Sequence, residues 1–596
     1  MICLRNTVNH VIGHEFERAQ AGIAMVTLSL LCFLIYLSGA IGIERASGQS
    51  QPTNNQEKSV RGTVLNAATN QPISRALVLS GDNRFAALTD SEGHFEFESP
   101  DTDSENQGDS SAGPSHKMRF TGSAWLTARK PGFLDDPTDR RVFEGTSGGD
   151  LTITLMPEAL IKGRATLSST DAAAGVNVQI FSKQVQDGRP RWIPAGMTRT
   201  NSSGEFRFAE LRPGSYKLVT HEFMDNDPVA AGAGAQSYGF PPVYFPNAAD
   251  LASASTIQLT AGQTVQVDLS LTGHQYFPVR IPVMNAEAGA GIAVTVSLRA
   301  NGGPGYSLGY NAEKQRIEGS LPTGNYQVEA ASFGPNSMSG QTSITVANAP
   351  FEGLGMVLST NSSVTLNVEE EFTASDSSGF LLRRDASRSF PVRGPRVYLQ
   401  ANVESADDFE QQRGGTIRPP SGPNDDSLVL ENLQPGRYWL RLYSSRGYVA
   451  SATLGGVDLL HQPLVVGAAS NIPIEIKMRD DGAQLEGSVT GAARETTSTE
   501  GTTYAGSWTP PAWVYCVPLP DSPGQFQQLG VSADGTFNSQ MMAPGTYRAL
   551  AFKRQQPNLA YRDAESMRTY EGKGQTVHLS PGQKSNLQVQ IISSSE

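Results

Sequence analysis

Few side chains in this 596-residue sequence have the types and spacing that catalysis requires. A zinc hydrolase needs a His-x-x-Glu pair and a distant histidine, because three ligands must leave a fourth position open for water. The clear match, His14 with Glu17, lies before a hydrophobic segment and outside the body of the chain. The other histidines are scattered singly, and no Gly-x-Ser-x-Gly elbow or glycine-rich phosphate loop follows a strand. We therefore predict no enzyme, no catalytic residues, no metal site and no cofactor.

Two further features have simpler explanations than chemistry. Cys516 lies in the strand-like apolar run 513–517, which is typical of an inert core thiol. Residues 101–105, Asp-Thr-Asp-Ser-Glu, alternate acidic side chains as calcium loops do. Asn106 stands where such a loop needs a glycine for its sharp turn, so we interpret this stretch as a solvated loop.

Aromatic side chains are better candidates for a binding role, since flat rings stack on the faces of sugars. Trp439 directly follows a turn tyrosine, and strand alternation places it with Arg441 and Tyr443 on the side away from the core. These three side chains could form a binding strip, or they could pack against a neighbouring module or another sheet edge. Further candidate ligand contacts are Trp508 and Trp513, around a proline-rich loop, and Trp192.

Composition and charge narrow the possible functions. The 60 Gly, the 36 Pro and a charged fraction of 17% favour short strands joined by turns over long helices. The formal net charge of −12, without a cluster of Lys and Arg, argues against nucleic acid as a partner. Two of the three cysteines, Cys3 and Cys32, lie in or before the hydrophobic segment, so the body of the chain has no disulfide framework.

The hydrophobic segment covers residues 21–43 and contains no charge. As a helix it is long enough to cross the roughly 30 Å hydrocarbon layer of a membrane. Small residues at and after its end suit a signal peptidase, so a cleaved signal and a retained anchor both stay open. Arg5 and Arg18 precede the segment and Arg45 follows it, a bias that places the rest of the chain outside the cytoplasm. We predict an exported protein, anchored in the membrane, or periplasmic or secreted if the leader is cleaved.

A Pro-Gly-x-Tyr set recurs about every 110 residues, which is the length of one small sandwich domain. Proline presets φ and glycine supplies the positive φ of a tight turn, so each set predicts a turn that begins a half-buried strand. In the first set, alternation places Tyr216 and Leu218 on one side of the strand and Lys217 and Val219 on the other. The tyrosine is expected to fix that turn from the core side, as a tyrosine corner does. The tyrosines are Tyr216, Tyr326 (in a degenerate copy), Tyr438 and Tyr547.

Two more signatures accompany this set. A polar-x-Gly-x-Phe set predicts a hairpin whose second strand points its ring into the core, and a short glycine-bearing strand opens a module. The rings are Phe95, Phe206 and Phe537, and the opening glycines are Gly62, Gly163 and Gly487. Together these patterns predict an all-β fold of tandem immunoglobulin-like or transthyretin-like β-sandwich modules after an N-terminal hydrophobic helix.

The same patterns predict the domain organisation. We expect a signal or anchor over 1–50 and five β-sandwiches, over 57–157, 158–273, 274–361, 362–480 and 481–596. The third and fourth modules could be separate or a fused pair, because their boundary lacks a clear opening glycine strand. Residues 100–115 and 404–426, rich in Ser, Asp, Gly and Pro, are predicted to be surface loops.

Residues 60–97 resemble a carboxypeptidase regulatory-like domain. They carry the opening strand at Gly62, a Gln-Pro-Ile turn at 71–73, a strand through 76–79, and Thr-Asp before the Gly-x-Phe set that ends at Phe95. Residues 160–218 resemble a second copy, and the later modules match more loosely. The resemblance implies a transthyretin-like or starch-binding-like β-sandwich without an active site. Such domains are often attached to exported enzymes or outer-membrane transporters and are often suspected of binding carbohydrate.

The expected function is therefore that of a non-catalytic, exported binding or scaffold protein. Carbohydrate or polysaccharide at the cell envelope is the leading ligand, and the alternative is a structural or adhesion-type spacer that binds an envelope protein and has no sugar site. Membrane contact would run through residues 21–43 if they are retained. Exposed, coplanar Trp and Tyr rings would favour the sugar hypothesis, and rings buried between modules would favour the spacer.

Overall fold

In this computed structural model, short runs of alternating apolar and polar residues form β-strands that turns and loops connect. The structure describes residues 59–80, 86–98, 124–135, 141–143, 151–168, 171–225, 237–287, 289, 291–298, 303–334, 337–353, 355–373, 398–407, 413–422, 425–467, 472–492 and 510–592. These residues contain one short helix, α1 (Ala564–Arg568). The fold is all-β and consists of β-sandwiches in tandem, as the sequence predicts.

Several sequence predictions lie outside the described residues. They concern the hydrophobic helix at 21–43, the pair His14 and Glu17, the loop at 101–105 and Trp508. Within the ranges given above, no helix is long and apolar enough to cross a membrane.

The first set of strands, sandwich 1, forms two four-stranded sheets. Its strands are β1 (Ser59–Asn66), β2 (Leu77–Ser80), β3 (Ala86–Leu88), β4 (His94–Glu98), β5 (Ala124–Arg129), β6 (Phe133–Asp135), β7 (Arg141–Phe143) and β8 (Leu151–Pro157). The sheet orders are β4-β1-β8-β6 and β3-β2-β5-β7. The apolar core lies between the two sheets and includes Val64, Val78, Leu126 and Ile153.

Sandwiches 2 and 3 share one sheet. Sandwich 2 contains β9 (Ala159–Leu167), β10 (Asn177–Gln186), β11 (Arg189–Arg199), β12 (Glu205–Leu211), β13 (Gly214–Thr220), β14 (Phe223–Met224), β15 (Ser237–Phe240), β16 (Ile257–Leu259) and β17 (Thr264–Leu271). Sandwich 3 contains β18 (His274–Met284), β19 (Ile292–Leu298), β20 (Gly309–Asn311), β21 (Arg316–Pro322), β22 (Gly324–Ser332), β23 (Met338–Val346), β24 (Phe351–Glu352), β25 (Met356–Val357) and β26 (Ser359–Thr360). The other strands of sandwich 2 form two sheets, in the orders β12-β9-β17 and β11-β10-β13-β16. The small hairpin β14–β15 pairs instead with β18 of sandwich 3, in the order β14-β15-β18-β21-β20.

Sandwiches 4 and 5 repeat the two-sheet arrangement. Sandwich 4 contains β27 (Ser362–Glu371), β28 (Leu399–Ser405), β29 (Gly414–Thr416), β30 (Leu428–Leu433), β31 (Gly436–Ser444), β32 (Tyr448–Leu454), β33 (Val457–Asp458), β34 (Leu464–Val466) and β35 (Ile474–Arg479). Sandwich 5 contains β36 (Ala483–Thr490), β37 (Trp513–Pro518), β38 (Gln527–Gly530), β39 (Thr536–Met542), β40 (Gly545–Phe552), β41 (Gln575–Leu579) and β42 (Lys584–Gln590). The orders are β30-β27-β35-β32-β33 and β29-β28-β31-β34 in sandwich 4, and β39-β36-β42 and β38-β37-β40-β41 in sandwich 5.

One contact explains why the opening glycine, the Gly-x-Phe set and the closing strand recur together. In sandwich 2, Gly163 pairs with Phe206 on one side and with Val267 of the parallel closing strand on the other. A Cβ on Gly163 would lie 1.7 Å from the Val267 carbonyl oxygen and 2.6 Å from the Phe206 ring. Glycine therefore lets the ring lie across the opening strand, where burial of a phenylalanine stabilises the fold by roughly 1.5–3 kcal/mol. Sandwiches 1 and 5 repeat this contact at Gly62 and Gly487.

The tyrosines of the Pro-Gly-x-Tyr sets fix their turns, and this prediction is confirmed. Each hydroxyl donates to the carbonyl oxygen of the residue four positions earlier, at 2.5–2.9 Å. All four side chains, Tyr216, Tyr326, Tyr438 and Tyr547, are buried. A buried hydroxyl thus satisfies a turn carbonyl that would otherwise lose its bond to water.

Two sequence predictions about strands are wrong. The strand after the turn in sandwich 2 is buried on both faces, because residues 244–254 form a second apolar cluster over the side predicted to face solvent. Lys217 on that side is buried and donates to the carbonyl oxygen of Leu251. The predicted loop at 404–426 contains β29, whose backbone pairs with β28.

Candidate functional site

A long hairpin of sandwich 2 reaches across to sandwiches 4 and 5. Strands β10 and β11 are joined by Asp187 and Gly188, which have positive φ values of 46° and 72°. Positive φ at both central residues is the property of a type I′ turn, whose twist matches that of a two-stranded ribbon. The tight turn lets the hairpin project as a narrow tip, and we call the residues around this tip the three-sandwich junction.

The carboxylate of Asp187 is the centre of the three-sandwich junction. Its Oδ1 accepts a hydrogen bond of 2.6 Å from the hydroxyl of Tyr561 in sandwich 5. Its Oδ2 lies 2.9 Å from Nη1 of Arg189 and 3.4 Å from Nε of Arg562. Nε of Arg441, on β31 of sandwich 4, lies 4.0 Å from the same oxygen. One carboxylate thus joins cationic groups from three sandwiches.

Trp439 forms the sandwich 4 side of the junction. The guanidinium carbon of Arg189 lies 3.5 Å from the centre of the Trp439 ring, close enough for a cation–π interaction. The neighbouring Arg441 donates from Nη2 to Oε2 of Glu404 at 2.6 Å. Burial, followed by repulsion from Arg562, lowers the pKa of Arg189 to about 10, while Asp187 acts in the opposite direction. Arg189 therefore stays charged at neutral pH and keeps both contacts.

Backbone and ring contacts close the junction on the side of sandwich 5. The Arg562 amide donates to the carbonyl oxygen of Gly188 at 2.9 Å. The ring of Tyr561 stacks on Phe526, with centroids 3.8 Å apart and planes 2° apart. A Cβ on Gly188 would lie 2.6 Å from the Tyr561 ring, so the turn and the ring touch directly. Burial is also the main reason that the pKa of Tyr561 is raised, which keeps its hydroxyl proton available to Asp187.

The predicted ligand contacts do not form one site. Trp439 and Arg441 lie together in the three-sandwich junction, while Tyr443 on the same strand is exposed. Trp192 is half-buried in sandwich 2, with the Lys217 ammonium 5.0 Å from its ring centre. Trp513 is half-buried and packs against an apolar cluster of sandwich 5. A ligand role for these residues, and for Trp508, stays a prediction.

Sequence reasoning missed Asp187, Arg189, Tyr561 and Arg562. The dipeptide Asp187-Gly188 between alternating runs is a hairpin signal, and it could have predicted the turn. No sequence pattern identifies its partner, since Tyr561 lies 374 residues further along the chain. In the part of the chain that the structure describes, no three side chains of His, Cys, Asp or Glu come together to hold a metal ion.

Comparisons with known proteins find similar solved structures but no matching protein family. No family model matches the chain, and no curated protein matches it. A streptococcal ancillary pilin is 12% identical with a TM-score of 0.17 and covers 50% of this chain and 99% of its own. The Bacillus anthracis TIE protein is 9% identical with a TM-score of 0.14, covering 71% of this chain and 67% of its own.

A third match is GBS52, the minor pilin of Streptococcus agalactiae. It is 14% identical with a TM-score of 0.18 and covers 36% of this chain and 95% of its own. Matches at this level carry no inference about function. The chain is a tandem β-sandwich protein, and its resemblance to carboxypeptidase regulatory-like domains is not confirmed.

Proposed function

We propose that this protein is a non-catalytic, exported scaffold whose sandwiches form a spacer that binds a partner protein of the cell envelope. The observation that carries this proposal is the three-sandwich junction. Trp439 and Arg441 were the leading candidates for a sugar-binding strip, and both are engaged there by Arg189 and Asp187. Rings held between sandwiches support a structural role, because a stacked guanidinium occupies the face that a sugar would need.

The junction also supports a scaffold through its effect on motion. Sandwiches joined by short links alone move relative to one another by default. The carboxylate of Asp187 and a backbone hydrogen bond hold the hairpin of sandwich 2 against sandwich 5, and the stacking of Arg189 on Trp439 holds it against sandwich 4. Such a connection makes three of the units move together, which suits a protein that keeps a partner at a set distance.

The remaining parts of the proposal rest on the sequence. Export follows from the uncharged segment at 21–43, which also supplies membrane contact if it is retained. We take each sandwich to be one domain, with boundaries near 158, 274, 362 and 481, and the modules to be of the carboxypeptidase regulatory-like type. Support for both comes from the opening and closing strands, which pair in parallel in sandwiches 1, 2, 4 and 5.

A second candidate function, carbohydrate binding, is favoured by Tyr443, which is 54% exposed near the end of β31. A glycan array and a pull-down with insoluble polysaccharides separate the two functions. The scaffold proposal expects no glycan to bind the exported chain. Binding that is lost in a Tyr443→Ala, Trp508→Ala, Trp513→Ala triple variant, and kept in a Trp439→Ala variant, would replace the scaffold function by sugar binding at one or more of those three residues.

Small-angle X-ray scattering tests the scaffold directly. The wild-type curve should fit a single arrangement of the sandwiches, and Asp187→Ala should increase the radius of gyration. A wild-type curve that requires many arrangements would contradict the proposal, whatever the glycan array shows.

A further inference from the structure

A second contact between sandwiches contains a half-buried carboxyl group, that of Glu222. Glu222 lies between β13 and β14, where the chain passes from sandwich 2 to the sheet that it shares with sandwich 3. Its amide donates to the carbonyl oxygen of Gly305 at 2.9 Å. Its Oε2 accepts hydrogen bonds from the amide and hydroxyl of Ser307, at 3.3 Å and 3.1 Å. Glu222 thus joins the two sandwiches through both its backbone and its side chain.

The surroundings of this carboxyl group leave little space. The Tyr244 hydroxyl of sandwich 2 donates to the carbonyl oxygen of Pro304 at 2.6 Å. A Cβ on Gly303 would lie 2.5 Å from that hydroxyl, and a Cβ on Gly305 would lie 2.6 Å from Pro242. Because the two surfaces are in contact here, Oε1 of Glu222 is kept out of solvent while they stay together.

Two buried oxygen atoms at this contact have no hydrogen-bond partner, Oε1 of Glu222 and the hydroxyl oxygen of Tyr276. Tyr276 is 2% exposed, and its hydroxyl faces the carboxyl group. An ionised carboxylate with a buried oxygen loses solvation there, and the Tyr276 hydroxyl that faces it forms no hydrogen bond in its place. A proton on Oε1 makes the carboxyl group neutral and turns that oxygen into a donor, which can bond to the phenol oxygen.

The titratable groups around Glu222 are neutral at physiological pH. Tyr276 on β18, Tyr306 before β20 and Tyr326 on β22 are phenols whose pKa is raised by burial. Burial also lowers the pKa of His221, the preceding residue, whose Nε2 pairs with the Gln179 side chain. Among the described residues that act on this carboxyl group, none is a cation that would favour its ionised form.

We propose that the contact between sandwiches 2 and 3 is a proton-responsive joint, held together while Glu222 is protonated and loosened when Glu222 ionises. This proposal is independent of the proposed function. Burial raises the pKa of Glu222 to about 7, against an ordinary value of 4.5, while the hydrogen bonds from Ser307 and the nearby Tyr276 hydroxyl act in the opposite direction. Since the pKa is higher in the folded state, the stabilisation is complete below about pH 4.5 and is lost as the pH rises through about 7.

Amide hydrogen exchange of the exported chain tests this joint at pH 5, 6, 7 and 8. The peptides to follow cover 221–225 and 303–309, with rates corrected for the intrinsic effect of pH. Their protection should fall on the order of 50-fold between pH 5 and pH 8, close to the limit that the two pKa values allow. In Glu222→Gln, which is neutral at every pH, the protection should be the same at pH 5 and pH 8.

Two more variants make the result specific. Glu313→Gln removes an exposed carboxyl group of sandwich 3 and should leave the wild-type profile unchanged. Ser307→Ala removes a donor that favours the ionised form, so the midpoint of the profile should move to higher pH. A Glu222→Gln profile as steep as the wild-type profile would overturn the proposal. If that variant fails to fold, a Ser307→Ala midpoint that stays in place or moves to lower pH would overturn it instead.

Discussion

Replacing Asp187 by alanine should release the hairpin β10–β11 from sandwiches 4 and 5. The carboxylate accepts a hydrogen bond of 2.6 Å from the Tyr561 hydroxyl and lies within 3.4 Å of two guanidinium groups, those of Arg189 and Arg562. Without it, these two cations lie side by side with no shared anion. The side chain of Asp187 is 18% exposed, so the loss should fall between that of a surface ion pair and that of a fully buried one. We expect a cost of about 2–4 kcal/mol.

Local measurements suit this prediction, since a chain of several domains need not unfold in one step. A cost of about 2–4 kcal/mol corresponds to exchange that is roughly 30- to 1,000-fold faster in amides of the hairpin, residues 183–192. Asp187→Asn keeps the shape and an acceptor oxygen and should give an intermediate effect. Asp521→Ala, at an exposed position of sandwich 5, is the matched control and should leave the hairpin unchanged.

A double-mutant cycle isolates the central hydrogen bond. Asp187→Ala and Tyr561→Phe should couple by about 1.5–3 kcal/mol, the range of a hydrogen bond to a charged group. The reasoning fails if Asp187→Ala changes hairpin exchange less than about threefold, the effect expected of a surface ion pair. It also fails if the pair couples by less than about 0.5 kcal/mol, as independent sites do.

Three further results are expected. Gly188→Ala should open the same junction, because φ is +72° and the new Cβ would lie 2.6 Å from the Tyr561 ring. Gly132→Ala is its control: φ is +84° but nothing lies within 4 Å of the new Cβ, so hydrogen exchange should show only a backbone cost of about 1–3 kcal/mol in the segment around residue 132. Tyr547→Phe should lower the unfolding free energy of sandwich 5 by about 1–3 kcal/mol, since its hydroxyl both donates and accepts a buried bond; unchanged exchange in that sandwich would contradict this. Burial raises the pKa of Cys516 to about 12, so the thiol stays protonated and should react with a thiol reagent at pH 8 only after denaturation. Rapid labelling of Cys516 in the native protein, detected by mass spectrometry, would contradict this.

Much of each sandwich is predictable from local sequence. The turn at each Pro-Gly-x-Tyr set is predictable because the tyrosine hydroxyl bonds to a turn carbonyl only four residues earlier. The link between the opening glycine and the Gly-x-Phe ring spans more of the chain, yet it recurs because the same crowding recurs at Gly163 and Gly487. A repeated local motif therefore predicts a repeated local contact.

The outer faces of the sheets are different. Strand alternation correctly places Trp439 and Lys217 away from their cores, but it says nothing about what covers them. In sandwich 2 the cover is a segment of the same sandwich, which buries Lys217. In sandwich 4 it is the side chain of Arg189 from sandwich 2. The predicted binding strip was divided for this reason, with Trp439 and Arg441 at the junction and Tyr443 left exposed.

By itself, the sequence determined the all-β class, the repeated turns and the inward faces of the strands, because these follow from a period of two residues and from glycine, proline and tyrosine at short spacing. Only the tertiary structure decided which sandwiches touch. Asp187 meets Tyr561 over a separation of 374 residues, and Glu222 meets Ser307 over 85. Such pairs depend on how folded units pack, and the free energy of that packing comes from surfaces that exist only after each sandwich has formed.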